Sequence, residues 1–382
     1  MHFSRDTGLY TKSLQKMGIE SREVMPLPAY EEDLPDVLRA EYKDLENPEW
    51  WKNLKLDGVI ICSWSLAKYT PIVKAIHDSG TVLIIHLDSG EVIYPWMKWM
   101  DMTRLSLRRV KLKHPKNWLF HFVKNVVRGH LSLINYPNRR RHFGYATMIG
   151  IPSPGGIESY KKIPWLLSKQ SKKSVFLMPV PVAEYHRYDG TPKERRVLAI
   201  GRWEDEEQKR THYLMESLEI LLRNDTTTQV DLIGRVPDFL RQWHDELDSK
   251  YQCRVRLHGI IPNAEITPLL RKSKICLCPS MYEGTHIVSA EALCNGASVV
   301  VAASPFLGVV KWYTTHQSGR IARQDTPESF AQAISDEFNA WDNNERNPQA
   351  ISDFWCEQFH PMNNMKKIFE FVRQKQEEKT DS

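Results

Sequence analysis

The chain has 382 residues, 41% hydrophobic and 26% charged, which is enough apolar content for a packed core and excludes a disordered or fibrous chain. At roughly 100 to 200 residues per domain, two domains are the default expectation. No stretch of about 18 uninterrupted apolar residues occurs, which speaks against an ordinary transmembrane helix. The opening MHFSRDTGLYTKSLQKMG carries charges where a secretory signal needs apolar residues, so a cytoplasmic location is expected. Cys62, Cys253, Cys276, Cys278, Cys294 and Cys356 lack paired CxxC spacing. They read as reduced core residues, and no metal is expected on them.

From Asp57 onward, LDGVIICSWS, AKYTPIVKAIHDSG and TVLIIHLDSG alternate an apolar β-rich run, a helix closed by turn residues, and a second β-rich run. This is the grammar of a parallel sheet with helical crossovers. His86 ends the last of these runs. Net charge is only +5, yet twelve Lys or Arg face a single acid, Asp101, between Lys98 and His142. Within that segment Trp118, Leu119, Phe122, Val123, Val126 and Val127 recur at helical spacing, with Lys116, Lys124 and Arg128 on the other side. This basic amphipathic helix either docks its apolar face on its own domain or attaches, peripherally, to an anionic membrane surface through residues 98–142. No nucleic-acid-binding motif accompanies the charge, so nucleic acid is not an expected partner.

VFLMPVPVAEYHRYDGTPKERR begins as a strand and dissolves into Pro, Gly and charge, which places a linker at residues 183–194. An N-terminal Rossmann-like domain then covers 1–182 and a second 195–355. Residues 356–382 are left as a C-terminal helix, expected to return toward the first domain, and a polar tail. The second domain repeats the α/β alternation: RVLAIGRW, TQVDLIGRV, VRLHGII, KICLCPS and ASVVVAAS read as strands, HYLMESLEILLRN and THIVSAEALCN as helices. Gly296 is the expected stop of the last helix.

In KICLCPSMYEGTHIVSAEALCNGASVVVA, the loop Pro279 to Gly284 follows a buried strand and leads into a helix. Glu283 falls in that loop, expected to be exposed at the carboxyl edge of the sheet where α/β folds bind ligands, and Glu291 two turns into the helix. Backbone amides at the helix start, Gly284, Thr285, His286 and Ile287, suit phosphate oxygens. By itself, such a glutamate pair also fits a solvated helix.

This segment resembles the E-x(7)-E signature of retaining glycosyltransferases of the GT-B fold, in particular glycosyltransferase family 4. AIGRWEDEEQKR, opening on Gly201, is similar to that family's G-R-x-x-x-x-K element, with Arg202 and, after a slightly longer spacer, Lys209 matching the pair that embraces the donor diphosphate. The resemblance implies two Rossmann-like doubly wound α/β domains facing across a cleft. Glu283 would hydrogen-bond the transferred sugar, Glu291 the ribose hydroxyls, and backbone at Gly259, Ile260 and Ile261 the base. Thr285 and His286 depart from the family, whose loop carries a further Gly; a side chain there either narrows the approach of the pyrophosphate or donates to it.

SRDTGLYTKSLQKMGIES resembles the loop and helix that open these enzymes, with only Gly8 of the usual Gly pair. His86 lies where the family often presents a histidine to the cleft, as a residue that orients sugar or acceptor. Asp88, Ser63 and Ser65 are acceptor-contact candidates on the same edge. No D-x-D occurs, so the resemblance implies metal-independent retaining transfer from a nucleotide-diphosphate sugar, as co-substrate, to a glycan or lipid-linked acceptor in polysaccharide or glycolipid biosynthesis. A Rossmann oxidoreductase would need G-x-G-x-x-G, which is absent. A non-catalytic sugar-nucleotide or membrane-binding scaffold is the competing reading on the same fold.

Overall fold

Two α/β units, each built on its own parallel sheet, make up the chain: one spans Met1–Pro181 together with His360–Ser382, the other Val182–Phe359. The computed structural model describes residues 6–31, 33, 35–62, 67–87, 103–104, 106–108, 110–111, 114–131, 136–162, 167 and 175–380. Among the described residues no helix is long and apolar enough to cross a membrane.

In the first unit, α1 (Asp6–Lys16) precedes a parallel pair, β1 (Glu23–Pro26) and β2 (Val37–Ala40). The larger sheet has the order β3 (Gly58–Cys62), β4 (Val82–His86), β5 (Met148–Ile151), β6 (Val175–Leu177), all parallel. Between β3 and β4 runs α2 (Thr70–Asp78), which buries Ile72, Val73, Ala75 and Ile76 at helical spacing. Two further helices, α3 (Trp118–Leu131) and α4 (Tyr136–Gly144), lie between β4 and β5.

The second unit has six parallel strands: β7 (Glu194–Ile200), β8 (Gln229–Ile233), β9 (Val255–Gly259), β10 (Ser273–Cys278), β11 (Ser298–Val301) and β12 (Gly319–Ile321). Their spatial order is β12-β11-β10-β7-β8-β9. Chain order thus runs outward from β7 through β8 to β9, then restarts on the other side of β7 at β10. The reversal between β7 and β10 is the topological switch point of a doubly wound sheet. The helices of this unit include α5 (Thr211–Asn224), α6 (Asn263–Lys272), α7 (Ile287–Cys294), α8 (Pro327–Asp342) and α9 (Pro348–Phe359). Helices on both faces bury Val197, Leu198, Ile275, Leu277, Val299 and Val300, which is why these strands read as near-continuous apolar runs. Cys276, Cys278, Cys294 and Cys356 are buried in this unit.

The last helix, α10 (Pro361–Thr380), belongs to the first unit, where Met365, Ile368 and Val372 pack with Tyr10, Val82 and Ile84. In the second unit, Ala183 and His186 are buried, although the sequence reads 183–194 as a linker, and Val182, which the sequence leaves in the first domain, is buried with them.

Candidate functional site in the second unit

The loops that leave β7 and β10 flank the switch point, and they carry Arg202, Lys209 and Glu283. At the end of β7, Gly201 donates from its backbone to the carbonyl of Ile233 at 3.0 Å. A Cβ on Gly201 would stand 2.8 Å from the Trp203 ring, and one on Gly234, which has φ +129°, would stand 1.9 Å from the Gly201 carbonyl oxygen. Two loops therefore pass in backbone contact, which only glycine permits. Gly234 was missed in the sequence, although LIGRV after β8 repeats the ending AIGRW of β7.

Asp205 then caps a single helical turn, Glu206–Lys209, by accepting from the amide of Gln208. That turn aims Gln208 and Lys209 at the β10 loop, and the backbone amide of Met281 donates to the Gln208 carbonyl at 2.7 Å. Lys209 Nζ donates to Glu283 Oε1 at 2.5 Å, and Ser280 Oγ donates to the same oxygen at 2.6 Å. Gln208 Nε2 donates to Glu283 Oε2 at 3.2 Å and accepts, through Oε1, from Arg202 Nη2 at 2.8 Å. A continuous relay thus runs Arg202, Gln208, Glu283, Lys209. Gln208 has no counterpart in the sequence reading.

The expectation that Glu283 stands on an exposed loop is corrected. Its side chain is only 8% exposed, against 12% for Lys209 and 67% for Arg202. Burial alone would push the Glu283 carboxyl up; the His286 ring, the Lys209 ammonium and the hydrogen bonds from Lys209 and Ser280 outweigh it and hold it below the usual carboxylate range.

Gly284 is exposed, and His286 takes φ +45° as the residue that opens α7. This is the left-handed conformation that a glycine ordinarily serves, so the departure noted in the sequence falls on a strained backbone position. The ring turns inward: it is buried, and Nδ1 lies 2.7 Å from Ser289 Oγ. Burial lowers its pKa to about 4. Of the two alternatives, side-chain donation to a pyrophosphate is not supported by this ring orientation. Thr285 is held through its carbonyl, which accepts from Tyr313 Oη at 2.7 Å. Ile287 begins α7, and Gly296, at φ +74°, ends its exit turn as expected.

Glu291 sits on α7 with its side chain 18% exposed and its Oε1 3.6 Å from His186 Nε2. At the end of β9, Gly259 has φ +69° and no atom within 4 Å of a Cβ position, and Ile260 is 75% exposed, while Ile261 packs on the core.

Candidates in the first unit fare differently. Gly8 is buried in the first turn of α1 and not in a loop. His86 is 2% exposed; Nε2 lies 3.1 Å from the Met178 carbonyl oxygen and Nδ1 3.5 Å from Cys62 Sγ. Burial brings its pKa down to about 4. This is the environment of a packed structural histidine with both ring nitrogens engaged, and it corrects the expectation that the ring faces a ligand. Ser63, Ser65 and Asp88 lie outside the described residues.

Residues 194–338 match the family model described as Glycosyl transferases group 1, and the match covers β7 to β12, with Arg202, Lys209, Glu283 and Glu291 inside it. The second unit carries a glycosyl transferases group 1 domain. No curated protein matches the chain by sequence. Solved structures share its fold: a glycosyltransferase from Rickettsia africae ESF-5 (TM-score 0.64, 13% identity, 96% of this chain and 93% of that one) and the lipopolysaccharide outer core galactosyltransferase WaaB (0.61, 16%, 96% and 93%). Another is Anabaena Alr3699/HepE, solved in complex with UDP and glucose (0.58, 11%, 96% and 94%). These are GT-B glycosyltransferases, and the two parallel α/β units of this chain have that fold. Within the matched segment, Arg202, Lys209 and Glu283 stand on loops at the sheet edge where doubly wound folds bind ligands, and Glu291 lies on α7 behind them.

Proposed function

We propose that the protein is a retaining, metal-independent glycosyltransferase that moves a sugar from a nucleoside diphosphate donor to a glycan or lipid-linked acceptor, for polysaccharide or glycolipid assembly. The observation that carries this reading is the relay Arg202, Gln208, Glu283, Lys209 at the switch point of a glycosyl transferases group 1 domain. Structures such as that of Alr3699/HepE with UDP and glucose support the donor class.

In this reading the bond from the sugar C1 to the diphosphate oxygen breaks as the acceptor oxygen bonds to C1 on the same face. The acceptor proton passes to an oxygen of the departing diphosphate. Charge grows on that diphosphate while the sugar gains oxocarbenium character, so positive groups placed there in advance lower the barrier. Arg202, whose guanidinium is largely exposed, and Lys209 supply that charge, helped by the amides at Gly284 to Ile287. Glu283 binds a sugar hydroxyl while Lys209 divides its hydrogens between Glu283 and phosphate. Glu291 takes the ribose hydroxyls, and the open backbone at Gly259 and Ile260 receives the base. Release of nucleotide from UDP-, GDP- and ADP-sugars, with and without EDTA, tests the reading. Turnover that persists in chelator supports it, and loss restored by magnesium contradicts the metal-free charge balance.

The second element of the proposal is attachment to an anionic lipid surface through α3. Leu119, Phe120, Val123 and Val127 are 59%, 68%, 52% and 52% exposed on this helix, beside exposed Lys116 and Lys124. Of the stripe read in the sequence, Leu119, Val123 and Val127 are exposed while Trp118, Phe122 and Val126 are half-buried; Phe120, outside that stripe, is exposed with the first three. An apolar ridge flanked by lysines suits the boundary between headgroups and acyl chains.

A further inference from the structure

The carboxylate of Glu291 is approached by a histidine from a distant part of the chain. His186, 3% exposed, belongs to the segment that reads as linker in the sequence, and its Nε2 lies 3.6 Å from Glu291 Oε1. Its other ring nitrogen, Nδ1, lies 3.0 Å from Asn295 Nδ2. Which of these nitrogens carries the proton follows from Asn295. The same Nδ2 donates to the backbone carbonyl of Glu291 at 2.8 Å, so reversing the amide would set Oδ1 against a carbonyl oxygen. Nδ2 therefore faces the ring as a donor, and Nδ1 must accept. The ring proton is on Nε2, directed at the Glu291 carboxylate.

At 3.6 Å this contact is too long for a hydrogen bond and acts by orienting a dipole toward the negative charge. The ring itself is fixed from several sides. Tyr185 lies against it with centroids 4.5 Å apart, Cys356 Sγ donates to the His186 carbonyl at 3.6 Å, and Asn295 is itself fully buried at the end of α7. All of these residues belong to the second unit.

We propose that His186, with its tautomer set by Asn295, is a positioning residue for Glu291: it holds the carboxylate in the rotamer that grips the ribose of the donor nucleotide. The inference rests on the role given to Glu291 under the proposed function. It also explains why residues 183–186 are built into this unit, since the His186 ring reaches α7 only if that stretch is packed down.

The test uses the full chain and calorimetric titration with UDP, GDP and ADP, followed by the 2′,3′-dideoxy form of the one that binds. Glu291→Gln should weaken binding of the parent nucleotide. His186→Ala should weaken it about fivefold. His186→Gln, whose amide nitrogen can take the place of Nε2, should stay close to the unaltered protein. Neither His186 variant should change affinity for the dideoxy analogue, and His186→Ala should add no further loss in the Glu291→Gln background. If Glu291→Gln weakens binding and His186→Ala does not, the positioning role is overturned while the ribose role stands. An equal loss with and without Glu291, or with the dideoxy analogue, would show a merely structural histidine and overturn it too. If Glu291→Gln binds as the unaltered protein does, the ribose assignment fails, and His186 falls with it.

Discussion

Lys209 and Glu283, 74 residues apart in sequence, meet as a largely buried ion pair with Nζ 2.5 Å from Oε1. A buried pair is costly to break from one side, because the survivor is left without a counter-charge. Glu283→Ala is therefore expected to lower stability by about 3 kcal/mol as well as activity. Glu283→Gln removes the same charge but keeps the shape and an oxygen that still accepts from Lys209 and Ser280, so it should cost less stability than Glu283→Ala. Chemical denaturation checks this, and equal midpoints for Glu283→Ala and the unaltered protein would contradict it.

Arg202 offers the opposite case. Its side chain is 67% exposed, so Arg202→Ala should change stability by no more than about 0.5 kcal/mol. Turnover should nevertheless fall by about 100-fold, because the guanidinium acts on charge that develops as the diphosphate leaves. Gln208→Ala should reduce turnover less, by about tenfold, by slackening both Arg202 and Glu283. Steady-state kinetics paired with melting curves separates these outcomes; parallel losses of stability and rate in Arg202→Ala would contradict a transition-state role.

Three buried histidines predict the acid side of the stability curve. Burial brings His86, His142 and His286 from the ordinary 6.5 down to about 4. Between those values the unfolded chain binds more protons than the folded one, so stability is full above pH 6.5 and is lost as pH falls toward 4, by up to about 3 kcal/mol for each group. Melting temperatures between pH 7 and 4.5 should fall accordingly. His286→Asn, which tolerates the left-handed backbone, should lessen the slope, and an unchanged slope would remove His286 from this explanation.

For α3, changing Leu119, Phe120 and Val123 together to Ser should cut association with phosphatidylserine vesicles while leaving nucleotide affinity unaltered. Changing Lys116, Lys124 and Arg128 to Glu should do the same, as should 1 M salt, where screening shortens to about 3 Å. Vesicle sedimentation unaffected by any of the three would point to an acceptor in solution.

The second unit was largely legible in the sequence because β7, β8, β10 and β11 are largely buried, mostly apolar runs of 4 to 7 residues separated by helices of clear periodicity. The three-residue β12 and the short pair β1 and β2 carry too few residues for any pattern and went unread. Glu283 and Glu291 stood out by spacing, but spacing says nothing of burial, which depends on Lys209, Gln208 and Ser280 closing around Glu283. His86 misled for the same reason: its partner at Met178 lies 92 residues away. His186 was invisible because Pro, Gly and charge around it look like a linker, and only packing shows otherwise.

The central claim is that the buried Glu283 carboxylate serves the transferred sugar. The measurement that tests it most directly is nucleoside diphosphate release from UDP-, GDP- and ADP-sugars, in EDTA, by the unaltered protein and by Glu283→Gln. The expected result is release from one nucleotide series by the unaltered protein, with a loss of about 100-fold in Glu283→Gln at a temperature where melting curves show both proteins folded. Release at the same rate by both proteins, or from no donor by either, would contradict the account.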